Sequence, residues 1–268
     1  MRHLKLAIGC ALIAFLALSL TAATPKTSVE VIYVSGRVEF LSQDSSDWQA
    51  ARVGKSLFSG DSIKTYEDSS VEISFDGRKE NVVSINPNSH VVLKLFEQEK
   101  IELIDGEVFA LITQLPHGSN FEIRTPTAVC GARGTGWGAN ADKTRTIVSG
   151  YENNSYAKGV DKNGNIMEDN LTVTQGFWTM VKLFGKPSKL SKISDKDYKK
   201  WNKWKDAFLE RVFGKRTRRK RLSDDLDKIA GQRERMEDKK ADERMRKTTE
   251  KTSAGSGTSD YNNEVSPR

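Results

Sequence analysis

From Val29 to about Leu183, apolar and polar side chains alternate almost without interruption, the period expected of strands that bury one face. Val29 to Val34 and Arg37 to Leu41 flank Gly36, consistent with a strand that turns or bulges there. Ser59-Gly60-Asp61 predicts a tight turn into Ile63-Lys64-Thr65, and Ser70 to Phe75 alternates before the hairpin-type turn Asp76-Gly77. Val82 to Ile85, Val91 to Phe96, Lys100 to Ile104 and Glu107 to Thr113 continue the series. Pro87-Asn88, Gln98-Glu99 and Asp105-Gly106 separate them as turns. Further on, Thr144 to Val148 and Glu152 to Ala157 read as a hairpin with Ser149-Gly150 at its turn, and Asp161 to Asn165 as a polar reversal. Leu171 to Val173 and Phe177 to Leu183, joined by Gln175-Gly176, supply the last strands. The pattern predicts a mainly β fold, a sandwich, roll or short solenoid of short antiparallel strands, over 24–187.

The period changes after Ser188. Tyr198, Trp201, Trp204, Phe208 and Val212 recur at helical spacing, Ser194 with Asp197 forms an approximate capping box, and Gly214 stands where a helix would end. An aromatic amphipathic helix is therefore expected within 188–214, with those five residues as a docking face. Its first destination is the protein's own sheet, its second a membrane or partner, since Lys199, Lys200 and Lys203 accompany the tryptophans. The stretch 215–251 predicts a charged, partly helical or disordered segment, and 252–268, with Gly255-Ser256-Gly257, a disordered terminus.

Charge divides the chain in the same place. Residues 24–195 hold 19 basic and 22 acidic side chains, whereas 196–251 hold 21 and 12. Lys215, Arg216, Arg218, Arg219, Lys220 and Arg221 are the densest positive run and a candidate contact for a polyanion, an anionic lipid or cell-wall surface. At the other end, Arg2 and Lys5 precede an apolar run from Leu6 to Leu20 and the small residues Thr21-Ala22-Ala23. That arrangement predicts a signal peptide over 1–23, cleaved after Ala23, and hence a periplasmic or otherwise exported protein; an uncleaved leader would anchor it in the membrane. Export makes nucleic acid an unexpected partner for the basic run. Cleavage would leave Cys130 as the one cysteine, excluding an internal disulfide and favouring a small buried apolar role for it.

Candidate chemistry is sparse. His90 and His117 are the histidines left after the leader, and no His, Cys, Asp or Glu set has metal-ligand spacing. Asp61 and Asp76 sit in turns and suit backbone bonding better than acid–base work. Trp48, in the polar loop from Asp44 to Gln49, is expected to fold back over a sheet edge. The stretch Phe121 to Trp137, FEIRTPTAVCGARGTGW, is more distinctive: a short strand closes at Pro126, and Gly131, Gly134, Gly136 and Gly138 then surround Arg133, Thr135 and Trp137. It lacks the Lys-Ser or Lys-Thr of a phosphate loop and the serine of a nucleophile elbow. Thr125, Pro126, Arg133, Gly134, Thr135 and Trp137 are therefore a candidate structural or binding corner, with Arg133 bonding carbonyls, a carboxylate or an outside anion. No catalytic residue, cofactor or metal is expected.

Arg124-Thr125-Pro126-Thr127-Ala128 followed by Arg133-Gly134-Thr135 resembles the core of the FecR-type domain, a periplasmic module. Val34 to Val38, Trp48, Gly54, Leu57 to Thr65, Val71 to Gly77 and Leu103 to Val108 are similar to that family's other landmarks, in order, so that the resemblance covers about 29–150. Two functions follow as expectations. The first is an exported, non-catalytic binding or scaffolding protein of the cell envelope that contacts a protein or glycan. The second, which the resemblance implies because membrane-bound members regulate sigma factors, is a periplasmic component of envelope signal transduction. Only Met1 to Lys5 precede the apolar run, too few to fold around a sigma factor, so such signalling would pass through another membrane protein.

Overall fold

A computed structural model of the chain describes residues 27–95, 99–113, 115, 119–132 and 134–214. The expected leader, Arg133, His117, the basic run from Lys215 to Arg221 and the segments after it lie outside the described residues. Two compact units divide the chain, residues 1–201 and residues 202–268.

One long strand organises the first unit. Strand β9, Glu99–Ile112, contributes its earlier half to one sheet and its later half to another. Edge to edge, sheet A runs β4 (Ser56–Phe58), β1 (Ser28–Ser35), β6 (Ser70–Ser74), β7 (Asn81–Ile85) and late β9. It continues through β12 (Thr135–Ala141), β13 (Arg145–Gly150), β16 (Phe177–Lys182) and β17 (Ser191–Lys192). Sheet B runs β3 (Gln49–Ala50), β2 (Val38–Leu41), β5 (Ser62–Thr65), β8 (His90–Leu93) and early β9. It ends with β10 (Phe121–Arg124), β11 (Ala128–Ala132), β14 (Asn154–Val160) and β15 (Ile166–Thr174). Every described pairing is antiparallel except that of β10 with β9, which is parallel. Late β9 belongs to sheet A, whereas β10 pairs along the earlier half of the same strand in sheet B. Neither sheet closes on itself, and the fold is mainly β, as the alternation predicts.

One turn and one hairpin inferred from the alternation are not present. Asp105-Gly106 does not reverse the chain: Gly106, at φ +94°, bends β9 where it passes from sheet B to sheet A. Ser149-Gly150 does not join a hairpin either, because β13 pairs with β12 and β16 while β14 pairs with β11 and β15. In both places a turn signal marks a change of sheet, which a local period of two cannot distinguish from a reversal. Gly36 and Gly106 use the same device. Each has a positive φ and is followed by an N–H that donates to a serine, Arg37 to Ser69 Oγ at 2.8 Å and Glu107 to Ser89 Oγ at 2.9 Å. A Cβ on Gly36 would lie 3.0 Å from the Ser69 Cα, and one on Gly106 2.5 Å from the Ser89 Cα, so both positions need glycine for space as well as for φ.

The core lies between the sheets. Ile73, Ile85, Val148 and Val181 enter it from sheet A, and Ile63, Ile101, Leu103 and Ile123 from sheet B, all fully buried. Each such side chain contributes roughly 1.5–3 kcal/mol of burial.

Helical turns run from 195 to 214, close to the expected span. Ser194 Oγ accepts the Asp197 N–H at 3.2 Å and donates to the Asp197 carboxylate at 2.7 Å, so Ser194 caps the helix, with a side chain–side chain bond in place of the reciprocal backbone bond of a capping box. The segment before it is not helical: Ser191–Lys192 pairs along β16, and the Ser188 N–H donates to the Met180 carbonyl at 2.9 Å.

Candidate functional site

The corner between β10 and β11 is built from three threonine hydroxyls. The Ala128 N–H donates to Thr125 Oγ1 at 2.9 Å and the Thr125 N–H to the Ala128 carbonyl at 2.8 Å, closing the turn around the exposed Pro126. Thr146 Oγ1, on β13, lies 2.7 Å from both Thr125 Oγ1 and Thr127 Oγ1, and Thr127 Oγ1 donates to the Val181 carbonyl at 3.1 Å. The Thr125 hydroxyl also reaches the Ala128 carbonyl at 3.0 Å, so each of the three hydroxyls has an acceptor within reach. All three threonines are buried, so the corner of sheet B is fastened to sheet A by a closed polar network inside the protein.

The glycines beyond the corner serve different ends. Gly134, at φ +106°, lies in the crossing between β11 and β12, and the next residue, Thr135, donates through its hydroxyl to the Glu152 carbonyl. On β12 the side chains alternate: Trp137 and Ala139 enter the core, while Gly136 and Gly138 face outward. A Cβ on Gly136 would meet Trp201 Cζ2 at 2.4 Å, and one on Gly138 would lie 3.0 Å from Phe109 and 3.1 Å from Tyr151. These glycines leave a bed for aromatic rings. Trp201 stacks on Tyr151 at 4.7 Å and 5° and meets Phe109 edge-on at 5.4 Å. The Tyr198 hydroxyl donates to the Tyr151 carbonyl at 2.8 Å. Lys200 forms an ion pair with Glu107 on β9. Tyr198 and Trp201 are therefore committed to the protein's own sheet. The later members of the expected docking face belong to the second unit, where Trp204 stacks on Phe208 at 6.1 Å; Val212 lies on the same helical segment.

Trp137 is fully enclosed and meets Phe121 edge-on at 6.0 Å. Its indole N–H faces the Cys130 sulfur. Burial pushes the Cys130 thiol up to about 12, the Trp137 N–H opposing that shift and the Glu122 charge adding to it. A thiol held protonated and out of solvent is a packing residue, not a nucleophile.

Sheet B carries a polar, aromatic outer surface. Lys64 Nζ sits 4.4 Å from the centre of the Trp48 ring, which also meets His90 edge-on at 6.1 Å, so Trp48 covers the β5–β8 surface. Beside it Tyr66 donates to Glu39 at 2.6 Å and Arg37 lies 4.1 Å over the Tyr66 ring. Desolvation first, and then the Lys64 charge, hold His90 below the usual histidine range, while Asp105 and Glu102 pull the other way. A cleft of about 420 Å³ opens between Asn120, Ala132, Asn154, Tyr156, Asn170 and Thr172. Asp61 and Asp76 bond backbone N–H groups, Asp61 those of Gln43 and Phe58 at 3.0 and 2.9 Å. No three acidic, histidine or cysteine side chains gather as a metal site among the described residues. The sequence reading singled out the corner but missed Thr146, whose only local signal is a hydroxyl on the buried face of a strand.

Together these features define an all-β domain of two sheets, locked at one corner by hydroxyls and faced on one side by aromatic rings of a helix. Residues 61–154 match the family model described as FecR protein, so the chain carries a FecR domain, reaching from the turn before β5 to the first residue of β14. Two solved structures from Parabacteroides distasonis, each described as a "putative anti-sigma factor", are similar to it. In both, identity is 15%, coverage 57% of this chain and 74% of theirs, and the TM-score 0.42. A comparison with curated proteins finds no match.

Proposed function

We propose that the chain is a non-catalytic receiving component of envelope signal transduction, whose FecR domain recognises a membrane-embedded partner and passes its state on through protein contact. The FecR match over 61–154 carries this reading, because regulation is what that family resemblance implies. The leader and the exported location expected from 1–23 are part of the same proposal. Recognition of a glycan in a scaffolding role is the second reading, supported by the amide- and hydroxyl-lined cleft beside Tyr156. Crosslinking in intact cells separates the two. Signalling predicts a crosslink to one membrane protein that is lost when the chain is deleted from its host, whereas crosslinks confined to wall polymer would overturn it in favour of the scaffold.

A further inference from the structure

His90 Nε2 is buried and has no hydrogen-bond partner among the described residues. On the outer surface of sheet B, Lys64 of β5 stands in register with His90 on one side and Asp105 of β9 on the other. Trp48 meets the imidazole edge-on at 6.1 Å, and Lys64 Nζ lies 4.4 Å from the centre of the Trp48 ring. A neutral imidazole protonated at Nδ1 suits this setting, because it leaves only a lone pair at the enclosed nitrogen. An imidazolium does not: it puts an N–H at Nε2 with no acceptor, close to the Lys64 ammonium. The acids that favour the charged ring are both on β9. Glu102 is paired with Lys94 at 3.5 Å, whereas Asp105 is exposed and exerts the larger pull of the two.

The loop that carries Trp48 is fixed at its ends. The Gln43 N–H donates to Asp61 at 3.0 Å, and Gln49–Ala50 pairs along β2. Between those points the Ser45 N–H donates to the Ser42 carbonyl and the Asp47 N–H to Ser45 Oγ, both inside the loop. Among the described residues, then, the Trp48 contacts with Lys64 and His90 are what join the loop tip to β5 and β8. One cation–π contact and one edge-on ring contact are weak enough for a newly buried charge to displace them.

We propose that His90 is an acid-operated latch on the Trp48 loop: protonation turns the imidazolium out to Asp105, and the loop from Asp44 to Trp48 lifts away from sheet B, uncovering the β5–β8 surface. At neutral pH the uncharged ring keeps the loop down. The latch does not depend on the signalling role.

The test uses the full chain with its five tryptophans replaced by 5-fluorotryptophan, the Trp48 line being the one absent from Trp48→Phe. Fluorine NMR between about pH 7.5 and about pH 5 should move that line toward its solvent-exposed position, with a midpoint below about 6.5 and unchanged far-ultraviolet circular dichroism. His90→Gln should hold the line still over the same range, and Asp105→Asn should lower the midpoint by roughly half a pH unit. A Trp48 line that stays constant in the parent, one that moves equally in His90→Gln, one that moves only as the β signal is lost, or an Asp105→Asn midpoint equal to the parent's would each overturn the proposal.

Discussion

Thr146 holds the corner closed. Thr146→Val keeps the shape of the side chain while removing the one hydroxyl that both Thr125 and Thr127 reach; Thr125 keeps the Ala128 carbonyl as an acceptor at 3.0 Å and Thr127 the Val181 carbonyl at 3.1 Å, so hydrogen bonds are lost without orphaning either group. Urea unfolding should show a loss of about 0.5–1.5 kcal/mol with an unchanged m-value. His90 gives a pH-dependent counterpart. Its folded pKa lies below the unfolded value near 6.5, so the unfolded chain binds the proton more readily and stability falls as pH drops from about 6.5 through the folded pKa. The groups facing it are Trp48, Lys64, Asp105 and Glu102. His90→Gln should flatten the stability profile in that window; a profile as steep as the parent's would remove His90 as the cause. At this scale the sequence was informative wherever the chemistry is local. Thr125 and Pro126 announce a turn, Asp61 and Asp76 announce backbone bonding, and Cys130 reads as a packed thiol. Thr146 was invisible because its partners lie 21 and 19 positions away, and no short pattern records that distance.

Among elements, the packing of β12 against Trp201 explains two of the glycines that the sequence gathers around Arg133, Thr135 and Trp137. Gly136 and Gly138 are absences of side chain beneath Trp201, Tyr151 and Phe109 rather than hinges. Gly136→Ala should cost about 1–3 kcal/mol by overpacking against Trp201. Gly77, where an added Cβ meets nothing within 4 Å, should tolerate alanine within about 0.5 kcal/mol. Equal losses at the two positions in thermal melts would mean that the ring bed is not what constrains β12. Strand positions and the helix were legible because periods of 2 and 3.6 are written into the apolar residues themselves. Which sheet each strand joins was not, since Gly106 and Gly150 look alike as turn signals whether the chain reverses or crosses.

For the whole molecule, two open sheets share β9, one carrying a helix's aromatic rings and the other a polar outer surface. The FecR match falls across the middle of that arrangement, and its resemblance could be read from ordered landmarks long before the pairing of strands could. The shared strand escaped because β9 looks in sequence like two strands and a turn. Transcript profiling of a host lacking the chain, against the same host with the full chain restored, tests the signalling role most directly. The account predicts that a small, defined set of transcripts changes on deletion and returns on restoration; a profile indistinguishable between the two strains, under conditions where the chain is produced, would contradict it.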